Sequence, residues 1–210
     1  MSGKDHRDYY YYRAKKQNLR SRAAFKILEI QAKFSIMKEG DHVLEIGSSP
    51  GGWTQIIRSI TGETVIAVDP DQMEKMEGVI FIRSRVEDPK LPEKIKTAMN
   101  EIGISSFNGI LSDAMVHTSG NRDIDHSSSY LIGVAVMKLV PHFLSAGGYV
   151  VLKQFQGDLT NHFMREWGQY FRSGRVTAVS ATRESSREIY IVFKGFDPHQ
   201  HGTQDSAESA

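Results

Sequence analysis

Two hydrophobic periods run through this chain. Short apolar or alternating runs at 43–46, 64–69, 79–82, 107–111, 149–155, 176–179 and 189–193 are bounded by Gly, Pro, Ser or Asp and predict seven strands. Between them, apolar residues recur every three or four positions. This spacing predicts helices over 21–34, from Trp53 through Ile56, Ile57 and Ile60, and over 92–102, 127–144 and 161–171. In the first helix Phe25, Leu28 and Ala32 are expected to face inward, with Ile27 and Ile30 as further candidates. In the fourth, Leu131, Val134, Ala135, Leu139 and Phe143 form the expected buried side, and Gly147-Gly148 the stop. Residues 120–129 are polar and read as a loop over a ligand face.

Strands alternating with helices imply a doubly wound, mostly parallel α/β sheet, with the last two strands pairing as a hairpin at one edge. The organisation predicted is a basic, tyrosine-rich arm over 1–20, one domain over 21–196, and a disordered tail over 197–210, which lacks apolar residues beyond alanine.

Between the first strand and its helix lies Gly47-Ser48-Ser49-Pro50-Gly51-Gly52. Glycines let backbone approach a ligand where a Cβ would collide, and the free N–H groups of a new helix point at whatever sits there. The turn lacks the dinucleotide G-x-G-x-x-G pattern, and no phosphate-loop motif occurs in the chain. The second strand ends in Asp69, placed to accept hydrogen bonds from ribose hydroxyls. A nucleoside without pyrophosphate, such as S-adenosylmethionine, suits this pair of features. The alternative is a structural turn with a capping acid.

Composition adds limits. There are no cysteines, which excludes disulfides, thiolate nucleophiles and cysteine-based zinc sites. No apolar run approaches a membrane span or a secretory leader, so a cytoplasmic enzyme is expected. The net charge is only +1, yet residues 4–38 hold ten Lys and Arg, from Lys4 to Lys38, against Asp5, Asp8 and Glu29. Such an excess forms either a phosphate-binding face or a solvated helix surface. Tyr9-Tyr10-Tyr11-Tyr12 lies within it and either stacks on unpaired bases or packs the arm onto the domain. Lys26 reads as a solvated helical lysine. Lys153 sits inside an apolar strand, where lost hydration favours the neutral amine. Asp113 and Glu188 stand at neighbouring strand ends.

Several of these stretches together resemble one family. Leu19-Arg20-Ser21-Arg22-Ala23-Ala24-Phe25-Lys26 is similar to the opening helix of the FtsJ/RrmJ ribosomal RNA 2′-O-methyltransferases. Pro50-Gly51-Gly52-Trp53, Ser112-Asp113, Ser119-Gly120, the run 151–157 and the run 185–192 match further motifs, in order, from about Arg7 to Gly195. The resemblance implies a Rossmann-like methyltransferase fold, a mostly parallel seven-stranded sheet with helices on both faces, and S-adenosylmethionine as cofactor. It implies a catalytic tetrad of Lys26, Asp113, Lys153 and Glu188, cofactor contacts from Gly51, Trp53, Asp69 and Asp113, and no metal. Where the family has another acid after the third strand, this chain has Arg85, followed by Glu87 and Asp88.

The implied reaction is attack of a ribose 2′-hydroxyl on the sulfonium methyl. Lys153 takes or steers the proton, Asp113 and Glu188 hold Lys153, and Lys26 orients the target. The implied substrate is a uridine of 23S ribosomal RNA in the assembled large subunit, modified by a monomer. Lys4 to Asp8, the tyrosines and Ala14-Lys15 also resemble the branch that modifies transfer RNA in its anticodon loop. A catalytically silent RNA-binding module on the same fold is the reading from a different class. A nicotinamide-dependent oxidoreductase is disfavoured by the missing fingerprint.

Overall fold

The computed structural model describes residues 3–115, 119–182 and 187–199, with side chains from residue 9 onward. Seven strands, β1 (Val43–Ile46), β2 (Val65–Asp69), β3 (Val79–Arg83), β4 (Phe107–Ser112), β5 (Leu144–Phe155), β6 (Phe171–Thr177) and β7 (Glu188–Phe196), form one sheet in the order β3-β2-β1-β4-β5-β7-β6. The strands β1 to β5 pair in parallel. β7 runs antiparallel between β5 and β6, giving the edge hairpin expected from the sequence. The helices are α1 (Gly3–Lys16), α2 (Ala24–Phe34), α3 (Gly52–Thr61), α4 (Leu91–Ile102), α5 (Arg122–Met137), the short α6 (Val140–Phe143) and α7 (Leu159–Gly168).

Alternation along the strands divides the core in two. Leu44, Ile46, Ile66, Val68, Ile110, Val150, Leu152 and Ile191 pack with α4, α5 and α7 on one face. Val43, Val65, Ala67, Leu111, Val151, Tyr190 and Val192 pack with α2 and α3 on the other. The two-residue period carries this second face on to charged positions. Asp69 follows Ala67 by two, Asp113 follows Leu111 by two, and Lys153 follows Val151 by two. Glu45 pairs in register with Ala67 and Leu111, and Tyr190 with Lys153, while Glu188 precedes Tyr190 by two. Five adjacent strands thus present ionisable groups on the side covered by α2 and α3.

Helix phase departs from the sequence reading. In α2 the buried residues are Ala24, Phe25, Lys26, Ile27 and Ile30, whereas Leu28 and Ala32 face solvent. Phe25 meets α1 while Ile27 and Ile30 meet the sheet side, so two partners share the helix and no single stripe describes it. The polar stretch read as a loop is the start of α5. Asn121 caps it, its side chain accepting from the Asp123 and Ile124 N–H groups, and Asp123 and Asp125 sit in the first turn, where the helix dipole favours acids. Its buried residues are Ser129, Ile132, Gly133, Val136 and Met137; Leu131 is 64 % exposed. Pro141 lacks the N–H needed to continue the helix, and Gly147-Gly148 lie within β5. Phe171, read as helical, opens β6.

Among the described residues, no helix is long and apolar enough to cross a membrane, and no group of three or more His, Cys, Asp or Glu is placed to hold a metal ion.

Candidate active site

Two buried lysines meet two carboxylates at the carboxyl ends of the central strands. Lys153 Nζ lies 3.1 Å from Asp113 Oδ1 and also donates to the Asp113 main-chain oxygen. Lys26 Nζ lies 2.5 Å from Glu188 Oε2. Each lysine is only 7 % exposed, and an ammonium so far from water is tolerated only when paired and hydrogen-bonded. The sequence reading gave Lys153 both acids, and Lys26, solvated on the local reading, entered the site only through the family resemblance. The structure gives Asp113 to Lys153 and Glu188 to Lys26, because α2 folds over the end of β7 and carries Lys26 inward.

Tyr190 joins the two pairs. Its hydroxyl donates to Asp113 Oδ1 at 3.1 Å. Its ring lies 5.8 Å from the Trp53 ring, with the Lys26 ammonium 5.9 Å from its centre. Burial, then the charges of Asp113 and Glu188, push the Tyr190 hydroxyl well above its usual range, so it stays a donor. Sequence reasoning missed this role; the available signal was the shared parity of Glu188 and Tyr190. Tyr190→Phe deletes the donor and keeps the ring. It is expected to cost about 1–3 kcal/mol of stability, as for a buried hydrogen bond to a charged group, with cofactor affinity unchanged. Chemical denaturation and a cofactor titration read the two quantities separately.

The glycine turn is close-packed by the chain itself. Gly47 and Gly51 have φ of 80° and 107°, backbone that a side chain strains. A Cβ at Gly47 would lie 2.4 Å from the Ala114 backbone, and one at Gly51 2.9 Å from Arg20 Cδ. The sequence reading took these glycines to make room for a ligand. Around both, the room is filled by protein, and the glycines serve the left-handed turn and that packing. Gly47→Ala is therefore expected to destabilise the fold by more than 1 kcal/mol, about the least that an incompatible backbone costs, as read by thermal unfolding. Arg20 itself donates to the Glu74 and Lys75 carbonyls at 2.7 and 2.8 Å, tying the segment after β2 to the turn.

Asp69 accepts the Ser49 and Asp71 N–H groups at 2.9 and 2.8 Å, one on each carboxylate oxygen. An ionised carboxylate has about four acceptor sites, so capacity remains for ribose hydroxyls. Trp53 is 2 % exposed and its indole N–H donates to the Ala23 carbonyl at 2.9 Å. Any ligand contact from this residue therefore comes through its backbone at the start of α3.

Glu45, fully buried in β1, went unnoticed in the sequence because it sat inside an apolar run. It accepts from Thr54 Oγ1 at 2.6 Å, while its other oxygen has no hydrogen-bond partner. Burial, with Asp113 and Asp69 nearby, pushes its carboxyl up to about 8 against the opposing hydrogen bond from Thr54. Glu45 thus lies fully buried and protonated at neutral pH, and two acids, Asp69 and Asp113, line the rim beside the turn. They suit a cofactor carrying a sulfonium and an ammonium and would repel a pyrophosphate. The amides at the start of α3 offer partners for the carboxylate of an amino acid moiety. S-adenosylmethionine fits this donor set.

At the family's further acid position, the Arg85 side chain is exposed. Asp88 accepts from Ser84 Oγ and Lys94 Nζ, both at 2.8 Å, and from the Lys90 N–H, which hold its carboxyl below the usual range. Asp88 is therefore engaged in its own loop.

A Rossmann-like sheet with a glycine turn after β1, an acid with spare acceptor capacity ending β2 and a lysine–carboxylate pair at the same rim has the features of an S-adenosylmethionine-dependent methyltransferase. Residues 19–196 match the FtsJ-like methyltransferase family, and the chain belongs to it. Ribosomal RNA large subunit methyltransferase E of Picrophilus torridus is 49 % identical over 187 residues, covering 89 % of this chain and 96 % of the relative. The protein of the same name from Thermoplasma acidophilum is 47 % identical over 192 residues, 91 % of this chain and 93 % of its own. A solved Plasmodium falciparum chain described as a ribosomal RNA methyltransferase superposes with a TM-score of 0.75 at 28 % identity, over 84 % of this chain and 98 % of that one.

Proposed function

We propose that this enzyme methylates the 2′-hydroxyl of a uridine ribose in 23S ribosomal RNA, with the large ribosomal subunit as substrate. The observation that carries the chemistry is the Lys153–Asp113 contact at the cofactor rim, joined through Tyr190 to Lys26–Glu188. The names of the Picrophilus torridus and Thermoplasma acidophilum relatives, together with their near-complete overlap with this chain, support the choice of RNA.

S-adenosylmethionine supplies a methyl group already activated by its positive sulfur. The protein's task is then alignment and removal of one proton. Asp69 and the α3 amides hold the nucleoside and amino acid ends, and Gly51 and Trp53 contribute backbone there. Asp113 fixes the Lys153 amine with two oxygens. Lys153 takes or steers the 2′-hydroxyl proton while the oxygen gains the methyl carbon and the carbon–sulfur bond breaks. Lys26, held by Glu188, meets the target ribose or its phosphate.

Glu188→Gln weakens the hold on Lys26 without emptying the space. It is expected to raise KM for RNA more than it lowers kcat, with the split read from initial rates. Incubation with methyl-labelled cofactor and either purified large subunits or bulk transfer RNA tests the substrate. Label confined to a 23S uridine 2′-position supports the proposal, and label confined to transfer RNA overturns it in favour of the anticodon-loop reading. Label in neither, with RNA still bound tightly, favours the silent binding module.

A further inference from the structure

Part of the basic excess near the start of the chain is consumed in the fold. Arg20 holds backbone carbonyls, Lys26 holds Glu188, and Lys33 pairs with Glu29 at 2.9 Å. A further group of cations stands on α1 beside exposed tyrosines. Tyr10 faces inward, its ring 5.4 Å from Phe25, and Ala14, one turn on, is buried against Phe25 and Ala181. The remaining rings do the opposite: Tyr9, Tyr11 and Tyr12 are 57, 57 and 64 % exposed.

Each exposed ring has a cation four residues further along the helix: Arg13 after Tyr9, Lys15 after Tyr11, Lys16 after Tyr12. Residues four apart are neighbours on a helix surface. Arg13 lies 6.0 Å from the centre of the Tyr9 ring and 4.8 Å from that of Phe25, pinning Tyr9 to the anchor. Among the described residues, no acid pairs with Arg13, Lys15 or Lys16. Tyr11 and Tyr12 stand edge-to-face with centres 5.5 Å apart. A packing role would bury these rings, and a merely solvated helix face would not collect three large aromatics. The anchor Phe25 also immediately precedes Lys26, so the helix is seated beside the catalytic pocket.

We propose that α1 is a platform for single-stranded RNA, on which Tyr11 and Tyr12 stack unpaired bases flanking the target nucleotide while Lys15 and Lys16 hold the adjoining phosphates. Stacking on aromatic side chains needs bases released from a duplex, and lysines beside them supply the sequence-independent part of the grip. The inference rests on the reading of RNA as substrate and narrows it to a target within an unpaired stretch.

The test compares the full chain with its Tyr11→Ala/Tyr12→Ala and Tyr11→Phe/Tyr12→Phe variants. Binding is followed by fluorescence anisotropy on a uridine-rich single strand and on the duplex made from it. Both positions are exposed, so the variants should fold, and unchanged S-adenosylmethionine binding by calorimetry verifies it. The alanine variant is expected to lose at least about tenfold in single-strand affinity, as for the loss of one or more stacked bases. The phenylalanine variant and duplex binding should change little. KM for RNA rises in the alanine variant while kcat at saturating RNA is kept. Unchanged single-strand affinity, an equal loss on the duplex, or a phenylalanine variant as weak as the alanine one each overturns the proposal. If the wild type methylates no RNA yet binds single strands through these tyrosines, the substrate reading fails and the platform stands. If it methylates RNA with a KM indifferent to Tyr11 and Tyr12, the platform fails and the substrate reading stands.

Discussion

Lys153→Ala is expected to lower methyl transfer by about 10²- to 10⁴-fold, the usual contribution of a positioned acid–base group, and to leave S-adenosylmethionine affinity within about twofold. The reason is placement. Lys153 reaches the rim from β5 and touches Asp113, whereas the groups suited to the cofactor's ribose and amino acid ends come from β2 and the start of α3. Among the described residues, removing the amine leaves Asp113 with Tyr190 as its remaining side-chain donor, so some stability is lost, and cofactor titration has to accompany the rates. Lys153→Arg keeps a charge but replaces a compact amine with a planar group that does not deprotonate in this range. It is expected to restore stability without restoring transfer. Wild-type turnover in either variant would remove Lys153 from the reaction.

The second large effect concerns pH. An unfolded glutamic acid releases its proton near 4.5, whereas Glu45 in the fold holds it up to about 8. Between those values the native state carries one more proton at this site than the unfolded state, so this contribution to stability falls as pH rises. It is fully present below about 4.5 and lost above about 8. The whole change amounts to about 5 kcal/mol, comparable with the net stability of many domains. Glutamine has nearly the shape of the protonated acid and no charge to bury, and it can still accept from Thr54. In cofactor-free protein, Glu45→Gln is therefore expected to be near neutral at pH 5 and clearly stabilising at pH 9, as measured by denaturant midpoints across that range. Parallel stability profiles for the two proteins would show that Glu45 is not held protonated.

The two effects arise on one surface, since Glu45 and Lys153 project from the same side of the sheet. Local sequence determined the pieces of that surface. A four-residue apolar strand before a glycine turn is legible because burial on both faces demands such a run, and Asp69 is legible because an acid ends the next strand. The alternation of strands and helices made the sheet mostly parallel, and the similarity of short motifs supplied Lys26, Asp113, Lys153 and Glu188 as a set.

What pairs with what was decided only in three dimensions. Glu188 and Lys26 are 162 residues apart, and their contact depends on how α2 lies across β7. Glu45 looked like part of an apolar strand until the sheet put two more acids beside it. Leu28 and Leu131 were misplaced because a helix touching two neighbours has no single apolar stripe, and the chain alone does not say which neighbours come. The tyrosines show the same limit. Their number and spacing are written in the sequence, but only packing against Phe25 determines that Tyr10 turns inward and leaves three rings to the solvent.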